Sequence, residues 1–133
     1  MSLVEDQIVV FHKVGNIAEF PKRLGKLVRF CGEEIAIFRT DEDKFYAIEN
    51  RNPNPKGGTL VDGMVSGEFI FDPLYDWKIS LVTGRVQEPD EGIARVFDVK
   101  VENGEVSVVY QVKDYSNWIK REIDLYLSEH TGL

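Results

Sequence analysis

Two short stretches, Asn52-Pro53-Asn54 and Asp72-Pro73-Leu74-Tyr75, decide how this sequence is interpreted. Each is a polar, proline-containing segment that follows a run rich in β-branched and aromatic residues. Such runs predict strands, and the polar segments between them predict turns. The two stretches are therefore predicted to be loop tips that the surrounding strands bring together. Neither contains a cysteine or a histidine.

Composition predicts one domain and excludes several classes of protein. The chain has 133 residues, and its net charge of −7 argues against a nucleic-acid binder, which needs Lys and Arg facing phosphates. No apolar run approaches the roughly 18 residues of a membrane span. The first ten residues contain no basic residue, so no export signal is predicted, and Cys31 alone allows no intrachain disulfide. These features predict a cytoplasmic protein.

The sparse cysteine and histidine content limits metal and thiol chemistry. Cys31, His12 and His130 are too few to build a Cys/His metal cluster. Cys31 ends a predicted strand and is interpreted as a small core or edge residue rather than a reactive thiol. Gly57-Gly58 matches neither the dinucleotide fingerprint nor the phosphate-binding loop.

Hydrophobic patterning predicts an all-β domain. Strands are predicted at residues 8–14, 26–31, 35–39, 44–49, 68–71, 77–82, 95–102 and 105–110. Residues 16–21 predict a short turn, residues 50–62 a loop and residues 63–67 a further turn. Asn103-Gly104 is a strong hairpin signal. Val106, Val108 and Tyr110 are predicted to lie on one face of the second hairpin strand.

The pattern changes period after residue 112. One helical stripe carries Tyr115, Ile119, Ile123 and Tyr126, with Trp118 and Leu127 beside it. We therefore predict a domain of residues 1–112 and a C-terminal α-helical extension of residues 113–133. The stripe either packs on the sheet or contacts another subunit.

The residues around the two tips resemble Rieske-type domains. Residues 46–54, followed by Gly57-Gly58, resemble the first cluster loop, whose core is Cys-Pro-His. Residues 71–77, followed by Thr83-Gly84, resemble the second loop, Cys-Pro-x-His. Seventeen residues separate Asn54 from Asp72, close to the usual gap in that family. The resemblance covers about residues 8–110 and implies a stack of antiparallel sheets with the tips side by side.

The resemblance also shows where the chain departs from the family. Aligned on the prolines, Asn52 and Asp72 occupy the cysteine positions, and Asn54 and Tyr75 occupy the histidine positions. A Rieske centre needs two thiolates and two imidazoles, and these oxygen donors are poorly suited to it. The expectation is a chain without its own cluster, in which packing and hydrogen bonds of Asn52, Asp72, Tyr75 and Trp77 replace the metal.

Asn50-Arg51-Asn52-Pro53, paired with Asp72-Pro73-Leu74-Tyr75, is similar to the small subunit of assimilatory NAD(P)H nitrite reductase. That resemblance implies a non-catalytic subunit with no cofactor of its own. It also implies a large-subunit partner that holds FAD, an iron–sulfur cluster and sirohaem and reduces nitrite to ammonia. The small subunit is expected to assist assembly or electron-transfer geometry.

Two alternatives to that function remain open at this point. One is a stand-alone Rieske-like interaction domain in another complex, and the other is a ferredoxin with unusual ligands. Asp72 and Asp76 also allow a weak divalent-cation site or an acid pair, although the ligand count is low. Tyr75 and Trp77 either cap the core or anchor a partner. The predicted partner interface comprises Pro53, Pro55, Lys56, Leu74, Tyr75, Asp76 and Trp77.

Overall fold

A computed structural model describes residues 8–30 and 32–112, which form nine antiparallel strands and one short 3-10 turn. The described part contains no α-helix, so the all-β prediction is confirmed for it. The elements are β1 (Ile8–Asn16), the 3-10 turn (Ile17–Glu19), β2 (Gly25–Phe30), β3 (Glu33–Arg39), β4 (Phe45–Glu49), β5 (Met64–Ser66), β6 (Phe69–Phe71), β7 (Lys78–Ser80), β8 (Val96–Glu102) and β9 (Glu105–Val112).

The strands form two sheets. The larger has six strands in the order β1-β9-β8-β4-β3-β2, and the smaller has three in the order β5-β6-β7. The edge strands of the larger sheet approach each other, because the rings of His12 on β1 and Phe30 on β2 lie 4.5 Å apart. The larger sheet is therefore strongly curved and encloses its own core.

Strand β3 is the wall between two hydrophobic cores. Ile35 and Ile37 point into the core of the curved sheet, where they meet Val106 and Val108 of β9. Alternate β3 residues point the other way and pack with the small sheet in a second core, which contains Ala36, Phe38, Ile48, Leu60, Val65, Ile70, Ile79, Leu81, Val86 and Ala94. Since strand side chains alternate between faces, the part of β3 that is buried on both sides, Ile35–Phe38, is apolar at every position. The second core fixes the small sheet, and hence the Asp72 loop, against the loop that follows β4.

The strand predictions are confirmed except at residues 63–67, where the predicted turn is wrong. Met64–Ser66 forms β5 and pairs with β6 in the register Met64 opposite Phe71. Glycines at both ends gave the segment a turn composition, and its strand state depends on tertiary pairing with β6. The predicted strand 77–82 is also shortened to Lys78–Ser80.

The Asn103-Gly104 hairpin prediction is confirmed. Both residues have positive φ, 52° and 78°, as a type I′ turn requires. Beyond the turn, Val106, Val108 and Tyr110 share one face as the alternation predicts, and all three are buried.

Some sequence predictions lie outside the described residues. The C-terminal helix, the division into residues 1–112 and 113–133, and the roles of Cys31 and His130 stay predictions. His12 is half-buried against Phe30. Among the described residues, no helix is long and apolar enough to cross a membrane.

Candidate functional site

Asn50 closes the base of the first loop, which runs from residue 50 to residue 63. Its Oδ1 accepts hydrogen bonds from the backbone N–H groups of Leu60 and Val61, both at 2.8 Å. Its Nδ2 donates to Glu34 Oε1 at 3.2 Å, and this bond is the main cause that lowers the pKa of Glu34. One buried amide therefore joins the two ends of the loop to β3.

The tip of the first loop is built from two successive asparagine turns. Asn52 Oδ1 accepts the Asn54 N–H at 2.9 Å, and Asn54 Oδ1 accepts the Lys56 N–H at 2.9 Å. The Asn52 N–H donates across the loop to the Gly58 carbonyl, also at 2.9 Å. Asparagine favours such turns because its side chain bonds backbone two residues ahead. Both asparagines are buried, so buried side chain–backbone hydrogen bonds stabilise the tip.

The second loop, residues 72–77, is organised around the Asp72 carboxylate. Oδ1 accepts the N–H groups of Leu74 at 2.9 Å and Tyr75 at 2.6 Å, and Oδ2 accepts that of Trp77 at 2.7 Å. Asp72 is only 2% exposed. A single carboxylate therefore satisfies three backbone donors that the turn leaves without strand partners.

The electrostatics of Asp72 follow from these contacts. Burial alone raises the pKa of a carboxyl group, but the N–H groups of Tyr75, Trp77 and Leu74 outweigh it and hold the pKa of Asp72 below its usual range. The Asn52 amide lowers this pKa further. Asn52 Nδ2 is buried and makes no hydrogen bond of normal geometry with a described residue, so it acts as a nearby dipole. Asp72 is therefore ionised at neutral pH.

The two tips pack against each other, as predicted. A Cβ on Gly58 would lie 2.8 Å from Leu74 Cδ1, so the Leu74 side chain rests against the first loop at Gly58. Lys56 Nζ lies 5.6 Å from the centre of the Tyr75 ring, within reach of a cation–π attraction. The side chains of the two loops form one continuous surface.

A third segment, residues 85–93, completes the site and was not predicted from the sequence. A Cβ on Gly92 would lie 3.2 Å from Pro53 Cβ, so this segment rests on the first tip. Beside it is an open cavity of about 340 Å³ lined by Glu49, Arg51, Asn52, Pro53, Asn54, Pro55, Gly57 and Ile93. The run Glu88-Pro89-Asp90-Glu91-Gly92 signals a loop, but its position depends on β8 pairing beside β4.

The structure separates the predicted interface residues by exposure. Leu74 is 62% exposed and Tyr75 36%, whereas Trp77 is half-buried and packs against the core beneath the small sheet. Pro53 is half-buried, and the other members are exposed, namely Pro55, Lys56 and Asp76. Trp77 therefore caps the core, and Leu74 and Tyr75 project from the surface.

The residues predicted at the four ligand positions, Asn52, Asn54, Asp72 and Tyr75, do not fit a [2Fe–2S] cluster. They offer two amides, a carboxylate and a phenol, while the cluster takes thiolate and imidazole. Both oxygens of Asp72 already accept backbone N–H groups, and Asn52 and Asn54 each use their oxygen in the same way. Across residues 8–30 and 32–112, no group of three or more His, Cys, Asp or Glu side chains is placed to hold a metal ion.

Substitution of Asn50 tests how the first loop is attached. Asn50→Ala is expected to lower the free energy of unfolding by about 2 kcal/mol, because two backbone N–H groups lose their acceptor. Asn54→Ala removes the acceptor of only the Lys56 N–H and is expected to cost about 1 kcal/mol. Urea unfolding of both variants measures the difference. Equal costs would show that the Asn50 bonds do not anchor the loop.

Comparison with known proteins agrees with this architecture. Residues 10–109 match the family described as the Rieske-like [2Fe-2S] domain. Over 97 residues, or 70% of the chain, the sequence is 36% identical to the nitrite reductase [NAD(P)H] large subunit of Klebsiella oxytoca. The chain spans 10% of that relative's length.

Two solved structures show the same fold. The putative NADH-dependent nitrite reductase small subunit of Mycobacterium tuberculosis has a TM-score of 0.70 at 18% identity, covering 80% of this chain and 97% of that one. The E. coli protein NirD has a TM-score of 0.68 at 22% identity, covering 77% of this chain and 98% of that one. The sequence-based expectation of a Rieske-like domain related to nitrite reductases is confirmed.

Proposed function

The chain belongs to the Rieske-like [2Fe-2S] domain family, and from this premise we propose that it is a non-catalytic small subunit of an NAD(P)H-dependent nitrite reductase. The main support for the proposal is the hydrogen bonding and exposure of the residues in the two tips. They are closed by their own side chain–backbone hydrogen bonds and present Leu74 and Tyr75 outward. The 36% identity to a nitrite reductase sequence supports the choice of complex.

In this proposal the chain holds no cluster of its own. Asn52 and Asp72 stand at the cysteine positions, and their oxygens bond backbone N–H groups of the same loops. Electrons then pass only among cofactors of the partner, where FAD, an iron–sulfur cluster and sirohaem are expected. The chain contributes shape and stability to the complex, in the cytoplasm, with no role for nucleic acid or a membrane.

The loop-tip surface is the proposed contact with the large subunit. We define it as Pro53, Pro55, Lys56, Leu74, Tyr75, Asp76 and Trp77. An exposed leucine and tyrosine beside prolines suit the centre of an interface, where aromatic residues contribute most of the affinity. Trp77 supports this surface from below by packing on the core.

Co-expression with a nitrite reductase large subunit tests the proposal. Size-exclusion chromatography is expected to show one complex, and omission of this chain is expected to reduce nitrite-dependent NAD(P)H oxidation or the yield of assembled enzyme. No complex and unchanged turnover would refute it. Recovery of unrelated partners in a pull-down would favour a stand-alone interaction domain. An EPR signal with stoichiometric iron in the isolated chain, purified without oxygen, would favour a ferredoxin.

A point substitution locates the contact. Leu74→Asp is expected to weaken binding to the large subunit at least tenfold, about 1.4 kcal/mol, because a charge would be placed in an apolar contact. Val101→Asp is the matched control, since Val101 is also exposed but lies at the far end of β8. Isothermal titration calorimetry measures both affinities. If the two substitutions weaken binding equally, the contact is not at the loop tips.

A further inference from the structure

We propose that the outer face of the small sheet carries a basic strip that binds an acidic segment of a partner protein. The strip consists of Arg51, Lys78 and Arg85 together with the exposed Ile93, and we call it the basic strip. It shares no residue with the loop-tip surface. The inference does not depend on the function proposed above, because it follows from the charges and strand pairing of this chain alone.

The cations of the basic strip lack carboxylate partners. Within residues 8–30 and 32–112, most Lys and Arg side chains form a salt bridge with a carboxylate. Those that form none there are Arg51, Lys56, Lys78 and Arg85, and all four lie in the part of the chain that contains the two tips and the small sheet. The whole chain is acidic, with a net charge of −7. A local group of unpaired cations on such a chain favours a partner of opposite charge.

Strand pairing places two of these cations on one exposed face. Val86 lies opposite Ile79 of β7, and both side chains are buried in the core beneath the small sheet. Because side chains alternate along a strand, Arg85 and Lys78 lie on the outer face instead, and both are exposed. The Ser80 N–H donates to the Arg85 carbonyl at 2.9 Å, which keeps the two backbones adjacent. Arg85 and Lys78 are therefore diagonal neighbours across the pair.

Ile93 extends the strip toward the first tip. It pairs with Arg85 in an antiparallel bridge, so the two side chains share a face, and Ile93 is 61% exposed. Ile93 and Arg51 line the same open cavity of about 340 Å³. Glu49 also lines this cavity but forms no salt bridge with Arg51. The basic strip thus runs from Arg51 through Ile93 and Arg85 to Lys78.

An acidic peptide fits the basic strip better than a nucleic acid does. Lys78 Nζ lies 4.3 Å from the centre of the half-buried Phe69 ring and covers the aromatic face on which a base would stack. Three carboxylates in residues 88–91 follow in the next loop and would repel a continuous phosphate backbone. A short segment that alternates carboxylate and apolar side chains matches the cations and Ile93 in turn.

Fluorescence anisotropy with a labelled peptide of alternating glutamate and leucine tests the proposal on the full-length chain at low salt. Lys78→Glu combined with Arg85→Glu is expected to weaken binding about tenfold, because like charges would then face the peptide. Lys13→Glu combined with Arg29→Glu is the control, since it makes the same charge change at exposed sites on β1 and β2. It is expected to change the affinity less than twofold. Equal losses in the two double variants, or no binding to the native chain, would overturn the proposal.

Two further measurements do not depend on a charge reversal. Lys78→Arg combined with Arg85→Lys keeps both charges and is expected to bind the peptide within twofold of the native chain, and loss of binding would overturn the proposal. In an isotope-labelled chain, the peptide is expected to shift the backbone amide resonances of residues 78–87 and 93 most. Larger shifts in β1 or β2 would contradict the assigned surface. Tighter binding of an oligouridine of equal charge would show a nucleic-acid site and overturn the choice of partner.

Discussion

Asp72→Asn is expected to lower the free energy of unfolding by about 3 kcal/mol at neutral pH. The native carboxylate is buried and accepts three backbone N–H groups. An amide keeps one acceptor oxygen but turns an NH₂ group toward donors that need an acceptor. Bonds to a charged acceptor are also stronger than bonds to a neutral one. Urea unfolding monitored by circular dichroism measures the loss.

The same carboxylate makes stability depend on pH in a predictable direction. Its pKa is lower in the folded than in the unfolded chain, so its contribution is fully present above the unfolded value of about 3.9. The contribution is lost as the pH falls from there through the lower folded pKa. The difference in stability between the native chain and Asp72→Asn is therefore expected to shrink below about pH 4.

Asp76→Asn provides the matched control for both measurements. Asp76 belongs to the same loop, is exposed, and loses the same charge on substitution. Its positive φ of 59° is tolerated by asparagine. The control is expected to change stability by less than about 0.5 kcal/mol at any pH. If both variants lose the same stability, the Asp72 hydrogen bonds do not hold the loop.

Gly84→Ala is expected to cost about 4 kcal/mol, the largest effect of a single methyl group in the described domain. A Cβ at this position would lie 1.9 Å from the carbonyl oxygen of Ala94, and φ is +80°. The Gly84 N–H donates to Ser80 O, and Gly84 O accepts the Ala94 N–H, both at 2.8 Å. In the variant, the backbone at Gly84, just after β7, must therefore move away from the backbone at Ala94.

Gly67→Ala is the control that distinguishes the clash at Gly84 from the ordinary cost of placing alanine at a positive φ. Gly67 also has a positive φ, 59°, but a Cβ there meets no atom within 4 Å. Its substitution is expected to cost about 1 kcal/mol, the usual penalty for alanine in this conformation. Thermal unfolding of both variants measures the contrast. Similar melting temperatures would mean that the contact between Gly84 and Ala94 relaxes easily.

Local patterning predicted most of the fold because most of the strands carry their own periodic signal. Val106, Val108 and Tyr110 alternate with polar or half-buried positions, and Asn103-Gly104 specifies the hairpin before them. Strand β5 lacked such a signal, since its three residues gain strand structure only by pairing with β6. The burial of β3 on both faces likewise depends on two sheets that meet around it.

The closeness of the two tips was predicted from the sequence, but the hydrogen bonds that hold them were not. The prolines and spacing predicted the two tips, and the resemblance gave the expectation that four ligand positions are replaced. The sequence did not show that Asn50 reaches Leu60 and Glu34, because those partners are ten and sixteen residues away. The contact between Gly92 and Pro53 is equally long-range. These contacts exist only once the strand order places three loops at one end.

The pairing of β1 with β9 has a consequence for how this domain can be used in evolution. Ile8 and Val112 are register partners, so the two ends of the described domain lie about 5 Å apart. A domain whose two ends lie close together can be inserted into a longer polypeptide without moving apart the segments on either side of the insertion point. The 97-residue match to one part of the longer Klebsiella oxytoca large subunit is what such a transplantable module predicts.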